Sequence, residues 1–125
     1  MNVAEWTVLV VEDESDSMEV VQEALAHHGI KAVGASSAEE ALKLLDTMTP
    51  TLIIIDLALP GMDGWALLKQ LRKLTALASL PLVAITSYHT AEVATQAIDA
   101  GFDAYFSKPL DATSFVRELE GVVAG

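Results

Sequence analysis

Asp56 closes an apolar run, Leu52-Ile53-Ile54-Ile55, and opens straight into a turn, Leu57-Ala58-Leu59-Pro60-Gly61-Met62-Asp63-Gly64. A second apolar run, Val8-Leu9-Val10-Val11, ends in the same way on Glu12-Asp13. Two later runs end near groups that bind anions, the Thr86 hydroxyl and the Lys108 ammonium. Open α/β sheets do their chemistry at the carboxyl ends of neighbouring strands. If the first and third runs are neighbours, three carboxylates converge there. Two carboxylates about 4 Å apart repel by roughly 4 kcal/mol at an effective dielectric near 20. Such a cluster stays ionised only when a cation offsets it; otherwise one member takes up a proton. One or two carboxylates plus water make a donor set that Mg²⁺ accepts. A carboxylate can also attack phosphorus to give an acyl phosphate. Phosphoryl transfer asks mainly for positioning and charge neutralisation.

Taken singly, these residues have plainer readings. A Glu-Asp pair after a strand is usually a solvated turn or a helix cap. A Lys-Pro step is usually a loop, and a threonine such as Thr86 is usually just a strand residue. Specificity comes from all four groups standing at strand ends in the right order.

The elements that must position them are legible. Apolar runs recur at 6–11, 30–35, 52–56, 80–86 and 103–106, with helical periodicity between them. Strand-helix alternation of this kind predicts a parallel sheet with helices on both faces. The central runs are continuously apolar, as strands covered on both sides are. The first helix, 16–28, carries Val21, Ala24, Leu25 and His28 on one stripe and stops at Gly29. Ser37-Ala38-Glu39-Glu40 reads as a capping box ahead of Ala41, Leu42 and Leu45. The third helix starts near Gly64 and buries Leu67, Leu68 and Leu71. Thr90 caps the fourth, which ends before Gly101; Asp111 caps the fifth, with Phe115, Leu119 and Val122 facing inward. Ala91, Ala94 and Ala97 give the fourth helix a small face, read as core packing, and Trp65 is read as packing too. His27 and His28 close the first helix, where a cation meets the negative end of the dipole.

Composition sets the outer bounds. A chain of 125 residues, 52% hydrophobic, is expected to form one domain over 1–125 with a core that needs no staples. It has no cysteine, hence no disulfide and no thiolate metal site, in keeping with a cytoplasmic location. No secretory signal is visible, and no apolar run approaches the roughly 18 residues of a membrane helix. Seven basic residues against 18 acidic ones leave a net charge of −11. That field argues against direct nucleic-acid binding and suits a cation or a basic partner surface. Plain solubility accounts for most of it.

From Val8 to about Val123 the chain resembles a response-regulator receiver domain, the phosphoacceptor module of two-component signalling. The residues that carry the likeness are Val8-Leu9-Val10-Val11-Glu12-Asp13-Glu14, Asp56 with Leu59-Pro60-Gly61-Met62-Asp63-Gly64, Thr86-Ser87, and Lys108-Pro109. The resemblance implies a doubly wound, flavodoxin-like (βα)5 fold, an α/β sheet of five parallel strands in order 2-1-3-4-5. It implies that Asp56 is the phosphoacceptor. Asp13 and Asp56 would ligate Mg²⁺, with Glu12 acting through water and Ala58 through its carbonyl. Thr86, Ser87 and Lys108 would surround the phosphoryl group, and Tyr105 would be the aromatic that moves with the threonine. Lys108-Pro109 would be a cis peptide. The implied partners are a histidine kinase or phosphotransfer protein and a downstream effector, and the chain would be a switch and not an enzyme.

Glu12 stands where aspartate is more frequent, Ala58 offers no side chain two residues past the acceptor, Ser87 replaces an alanine, and Tyr88 is large. None of these removes a required part. Two rival readings compete. An aspartyl-nucleophile phosphohydrolase usually has a second acid where Ala58 stands, which counts against it. A receiver-like module acting only by protein interaction is opposed by the intact Asp13, Asp56, Thr86 and Lys108.

Overall fold

Each strand alternates its side chains between two hydrophobic layers, and that alternation builds the molecule. The computed structural model describes residues 2–124; Met1 and Gly125, the two ends of the expected unit, lie outside them. The elements run β1 (Thr7–Val11), α1 (Ser15–Ala26), β2 (Lys31–Ala35), α2 (Ala38–Leu44), β3 (Leu52–Asp56), α3 (Gly64–Lys73), β4 (Leu82–Thr86), α4 (Ala91–Ala100), β5 (Ala104–Ser107) and α5 (Phe115–Ala124). The strands form one parallel sheet of order β2-β1-β3-β4-β5, the expected doubly wound fold.

Leu9, Val11, Ile53, Ile55, Leu82 and Ala84 face the layer holding Leu67, Leu68 and Leu71 of α3 and Ala97 of α4. Val8, Val10, Leu52, Ile54, Val83 and Ile85 face the opposite layer, with Val21 and Leu25 of α1 and Phe115 and Leu119 of α5. Both faces of β3 and β4 are covered, so neither strand can alternate with polar residues. The three α3 leucines are fully buried, and truncating any one to alanine costs about 2–5 kcal/mol.

Caps fix the helix starts. The Ser37 hydroxyl accepts the Glu40 N–H at 3.1 Å, Asp63 Oδ1 accepts the Ala66 N–H at 2.9 Å, and Thr90 Oγ1 accepts the Val93 N–H at 3.0 Å. The capping box is modified, because the Glu40 carboxylate takes the Ser36 N–H at 2.8 Å and not that of Ser37. Asp111 caps a turn that leads into α5, accepting the Thr113 N–H at 3.0 Å. Gly101 ends α4 at φ 122°, a conformation that favours glycine.

Two expectations about stripes need correction. His28 is exposed, past the end of α1, with its Nδ1 3.2 Å from the Ala24 carbonyl; the helix stops before the stripe can continue. On α4 only Ala97 is buried, Ala94 is half-buried and Ala91 is exposed. The first turn leaves Ala91 in solvent while Val93 packs against the core. Trp65 packs edge-on against Phe102 with centroids 6.0 Å apart, as expected.

Candidate functional site

Register assembles the site before any side chain is considered. Val11 pairs with Ile55, and Asp56 with Ile85, so Glu12 comes level with Asp56. Thr86 pairs with Ser107, and the next residue, Lys108, donates its N–H to the Thr86 carbonyl at 2.8 Å. The Lys108–Pro109 peptide is cis. Glu12 and Asp56 continue the parity of Val10 and Ile54, toward α1 and α5. Thr86 continues that of Leu82 and Ala84, toward α4.

Lys108 is the hub. Its Nζ donates to Glu12 Oε1 at 2.7 Å and to Asp56 Oδ2 at 3.0 Å. Ser17 Oγ of α1 lies 3.4 Å away and Glu14 Oε1 3.7 Å away. The other Asp56 oxygen, Oδ1, accepts the Ala58 N–H at 2.9 Å. Glu12 and Asp56 are buried while Asp13 is exposed, yet one oxygen from each of the three lies within 4.8 Å of the others. One ammonium therefore bonds two of the three clustered carboxylates, Glu12 and Asp56.

The electrostatics follow from that imbalance. Burial, then the contact with Asp56, pushes the Glu12 carboxyl up to about 7 against the pull of Lys108. Burial acts in the same sense on Asp56. There it is outweighed by hydrogen bonds from Glu12, the Ala58 N–H and Lys108, which hold the carboxyl below its ordinary value. Burial opposes the charge on Lys108, but its bonds to Glu12 and Asp56 outweigh that and raise it. Within the pair, burial favours a proton on Glu12, while the hydrogen bonds to Asp56 favour its charged form.

The turn after Asp56 is pressed against α3. A Cβ on Gly64 would sit 2.5 Å from the Asp56 carbonyl oxygen and 2.8 Å from Leu57 Cα. Only a hydrogen fits there.

The remaining expected residues stand at the rim. Thr86 is buried, and its Oγ1 accepts the Tyr88 N–H at 3.1 Å, which leaves its own proton free to donate. It lines a cavity of ≈ 270 Å³ with Ala58, Tyr88 and Gln96. Ser87 is exposed and shares a groove of ≈ 280 Å³ along α1 with Ser17 and Lys108. Tyr105 lies away from the carboxylates, on β5. Its hydroxyl donates to the Tyr88 carbonyl at 3.2 Å, and burial raises its phenol above the ordinary value. Asp56, Glu12, Asp13, Lys108 and the Ala58 amide thus converge, while Thr86, Ser87 and Tyr105 are joined to them through backbone and loop.

Sequence reasoning gave no role to Ser17, Glu14 or His89, whose ring stacks on Tyr105. For Ser17 a signal existed: α1 begins two residues after Asp13, and its first turn must stand over the strand end.

Residues 8–120 match the response regulator receiver domain family. An uncharacterized 14.6 kDa protein of Leptolyngbya boryana is 35% identical over 94% of this chain and 89% of its own length. The DNA-binding transcriptional regulator NtrC of Escherichia coli K12 is 32% identical over 94% of this chain, which spans 24% of that regulator. A crystal structure of a putative response regulator from Chloroflexus aurantiacus superposes with TM-score 0.91 at 28% identity, covering 96% of this chain and 98% of that one. Fold and site define a signalling receiver of the two-component class. The chain belongs to the response regulator receiver domain family.

Proposed function

We propose that residues 1–125 form one receiver domain acting as a phosphorylation-dependent switch, with Asp56 as phosphoacceptor. The donor is a phosphohistidine on a histidine kinase or phosphotransfer protein. A bond forms between an Asp56 carboxylate oxygen and phosphorus as the phosphorus–nitrogen bond breaks, and the electron pair leaves with the imidazole. The observation that carries the reading is the unequal pair: Asp56 is buried yet ionised, because Lys108 and the Ala58 N–H each hold one of its oxygens. A carboxylate kept anionic at a strand end is a nucleophile in position.

Mg²⁺ fits this donor set. Asp13 and Asp56 would hold it directly, Glu12 through water and Ala58 through its carbonyl, in the hard-oxygen environment the ion prefers. When bound, it neutralises charge on the phosphoryl oxygens. Lys108, Thr86 and Ser87 would bind those oxygens, and the spare Thr86 proton supports that role. Tyr105 would pass the change to the β5 face.

The output lies with a downstream effector, not with turnover of a substrate. A cytoplasmic location belongs to this reading, and no described helix is long and apolar enough to cross a membrane. The acidic balance speaks against direct nucleic-acid contact.

The test is to incubate the protein with a small phosphodonor and Mg²⁺ and to weigh it. One hydroxylamine-sensitive phosphate is expected on the wild type and none on Asp56→Asn. An equal gain in the variant would overturn the assignment.

A further inference from the structure

His89 lies three residues beyond Thr86 and belongs to no part of the carboxylate cluster. Its ring nevertheless lies over Tyr105, with centroids 5.8 Å apart and planes 28° from parallel. Its Nδ1 is 3.1 Å from the Tyr105 hydroxyl oxygen. That hydroxyl has a single proton, given to the Tyr88 carbonyl at 3.2 Å, so its oxygen is left to accept. Nδ1 then carries a proton and donates. The assignment follows from the tyrosine bond, since a neutral imidazole takes its tautomer from the partner it meets.

A chain of contacts results. Thr86 Oγ1 accepts the Tyr88 N–H at 3.1 Å, the Tyr88 carbonyl accepts the Tyr105 hydroxyl, and the same hydroxyl accepts from His89. Tyr88 and His89 grip one phenol from two sides. Without the histidine, Tyr105 would keep its packing against the α3–α4 layer and one hydrogen bond to an exposed loop, with no side chain fixing its hydroxyl to that loop. With it, the ring has a stacked neighbour and its oxygen has both roles filled.

We propose that His89 is a positioning residue, a latch that fixes Tyr105 to the loop between β4 and α4 so that loop and tyrosine move as one unit. The latch rests on the reading of Asp56 and Thr86 given above for its use in signalling, but its existence in the resting protein does not. Tyr105, His89, Phe106 and Phe115 line a groove of ≈ 520 Å³ between β5 and α5, and the latch sets the shape of that groove. A ligand shifts such an equilibrium only through contacts that differ between states, and these contacts break or persist together.

The full chain, isotope-labelled, is compared by NMR as wild type, His89→Phe and His89→Asn, first alone and then with Mg²⁺ and beryllofluoride as the phosphoryl mimic. Phenylalanine keeps the stack and loses Nδ1, whereas asparagine restores a donor near it. In the unliganded protein the Tyr105 ring signals should move in His89→Phe and return toward wild type in His89→Asn. With the mimic, the response at Tyr105 and Phe106 should fall by half or more in His89→Phe, while amides beside Asp56 respond as in the wild type. Unchanged Tyr105 signals in unliganded His89→Phe would overturn the latch. A latch present at rest with an undiminished β5 response would overturn its coupling role. A wild type that ignores the mimic altogether would overturn the phosphoacceptor reading and the coupling, and the unliganded comparison would still decide the latch.

Discussion

The two edges of the sheet each hold a network of charges, and they are built on opposite plans. At the amino edge, Arg72 of α3 donates to the carbonyls of Ala78 at 3.2 Å, Leu80 at 2.7 Å and Gly101 at 2.9 Å, and to Asp103 Oδ2 at 2.9 Å. The same Asp103 oxygen accepts the Leu82 N–H at 2.9 Å. One cation meets one carboxylate and ties the end of α3, the strand β4 and the end of α4. At the carboxyl edge, one lysine faces Glu12, Asp56 and Glu14, and two of these acids are buried side by side. Satisfied charges hold structure together. Like charges crowded in a buried place cost stability, and they are kept where something else is gained.

Exchanging the two edges by mutation breaks or sharpens that contrast. Arg72→Ala should cost about 2 kcal/mol, because several charge-assisted hydrogen bonds go but the site is partly solvated. Asp56→Asn should cost less, about 1 kcal/mol or under, since it gives up the charge facing Lys108 but keeps an acceptor for the Ala58 N–H and eases the crowding against Glu12. Urea denaturation of both variants measures this. Equal losses would mean that the edges do not differ in kind.

A pH scan isolates the crowded pair. Glu12 binds its proton more tightly in the folded protein, at about 7, than at its ordinary 4.5. Its contribution is therefore fully present below about 4.5 and is lost as pH rises through about 7. Asp56 is shifted the other way, so its contribution is present above its ordinary value and is lost on acidification. The metal-free protein should lose stability between about pH 5 and pH 8 more steeply than Glu12→Gln, which has no proton to give up. Parallel profiles would remove Glu12 as the cause.

The smallest effect concerns the rim. Hydrolysis of a phosphoryl group on Asp56 needs a water in line, near residues 58 and 88. Ala58 has no polar group to orient it, and the exposed Tyr88 ring can cover the approach. Ala58→Asn and Tyr88→Glu should each shorten the phosphoryl lifetime a few-fold, on the order of the gain expected from positioning one water. Ser87 is the competing water-holder. Decay no faster than wild type in both variants would hand the role to it.

Much of this was legible in the residues themselves. Unbroken runs such as Leu52–Ile55 announce strands covered twice, and Ser37 and Thr90 announce helix starts through local hydrogen bonds that need no tertiary information. Strand order came from resemblance, because periodicity says which face is apolar and nothing about neighbours. Asp56, Asp13, Glu12 and Lys108 were found because chemistry sits at strand ends. Ser17, His89 and Arg72 were not, because each acts across a helix–strand packing distance that no local pattern encodes. His28 failed for a related reason: a helical stripe continues on paper past the point where Gly29, at φ 75°, turns the chain away.

Gly64 sets a clearance. The absence of a Cβ is what lets α3 lie on the Asp56 turn, with the nearest backbone atom 2.5 Å from where a Cβ would be. The exposed neighbours Ala58 and Pro60 can change shape without touching the layer beneath them. At position 64 the smallest possible enlargement wedges helix from strand and tilts the carboxylate with it. The tolerance of this turn to substitution is therefore set by depth, and at Gly64 the packing beneath leaves no room for any side chain at all.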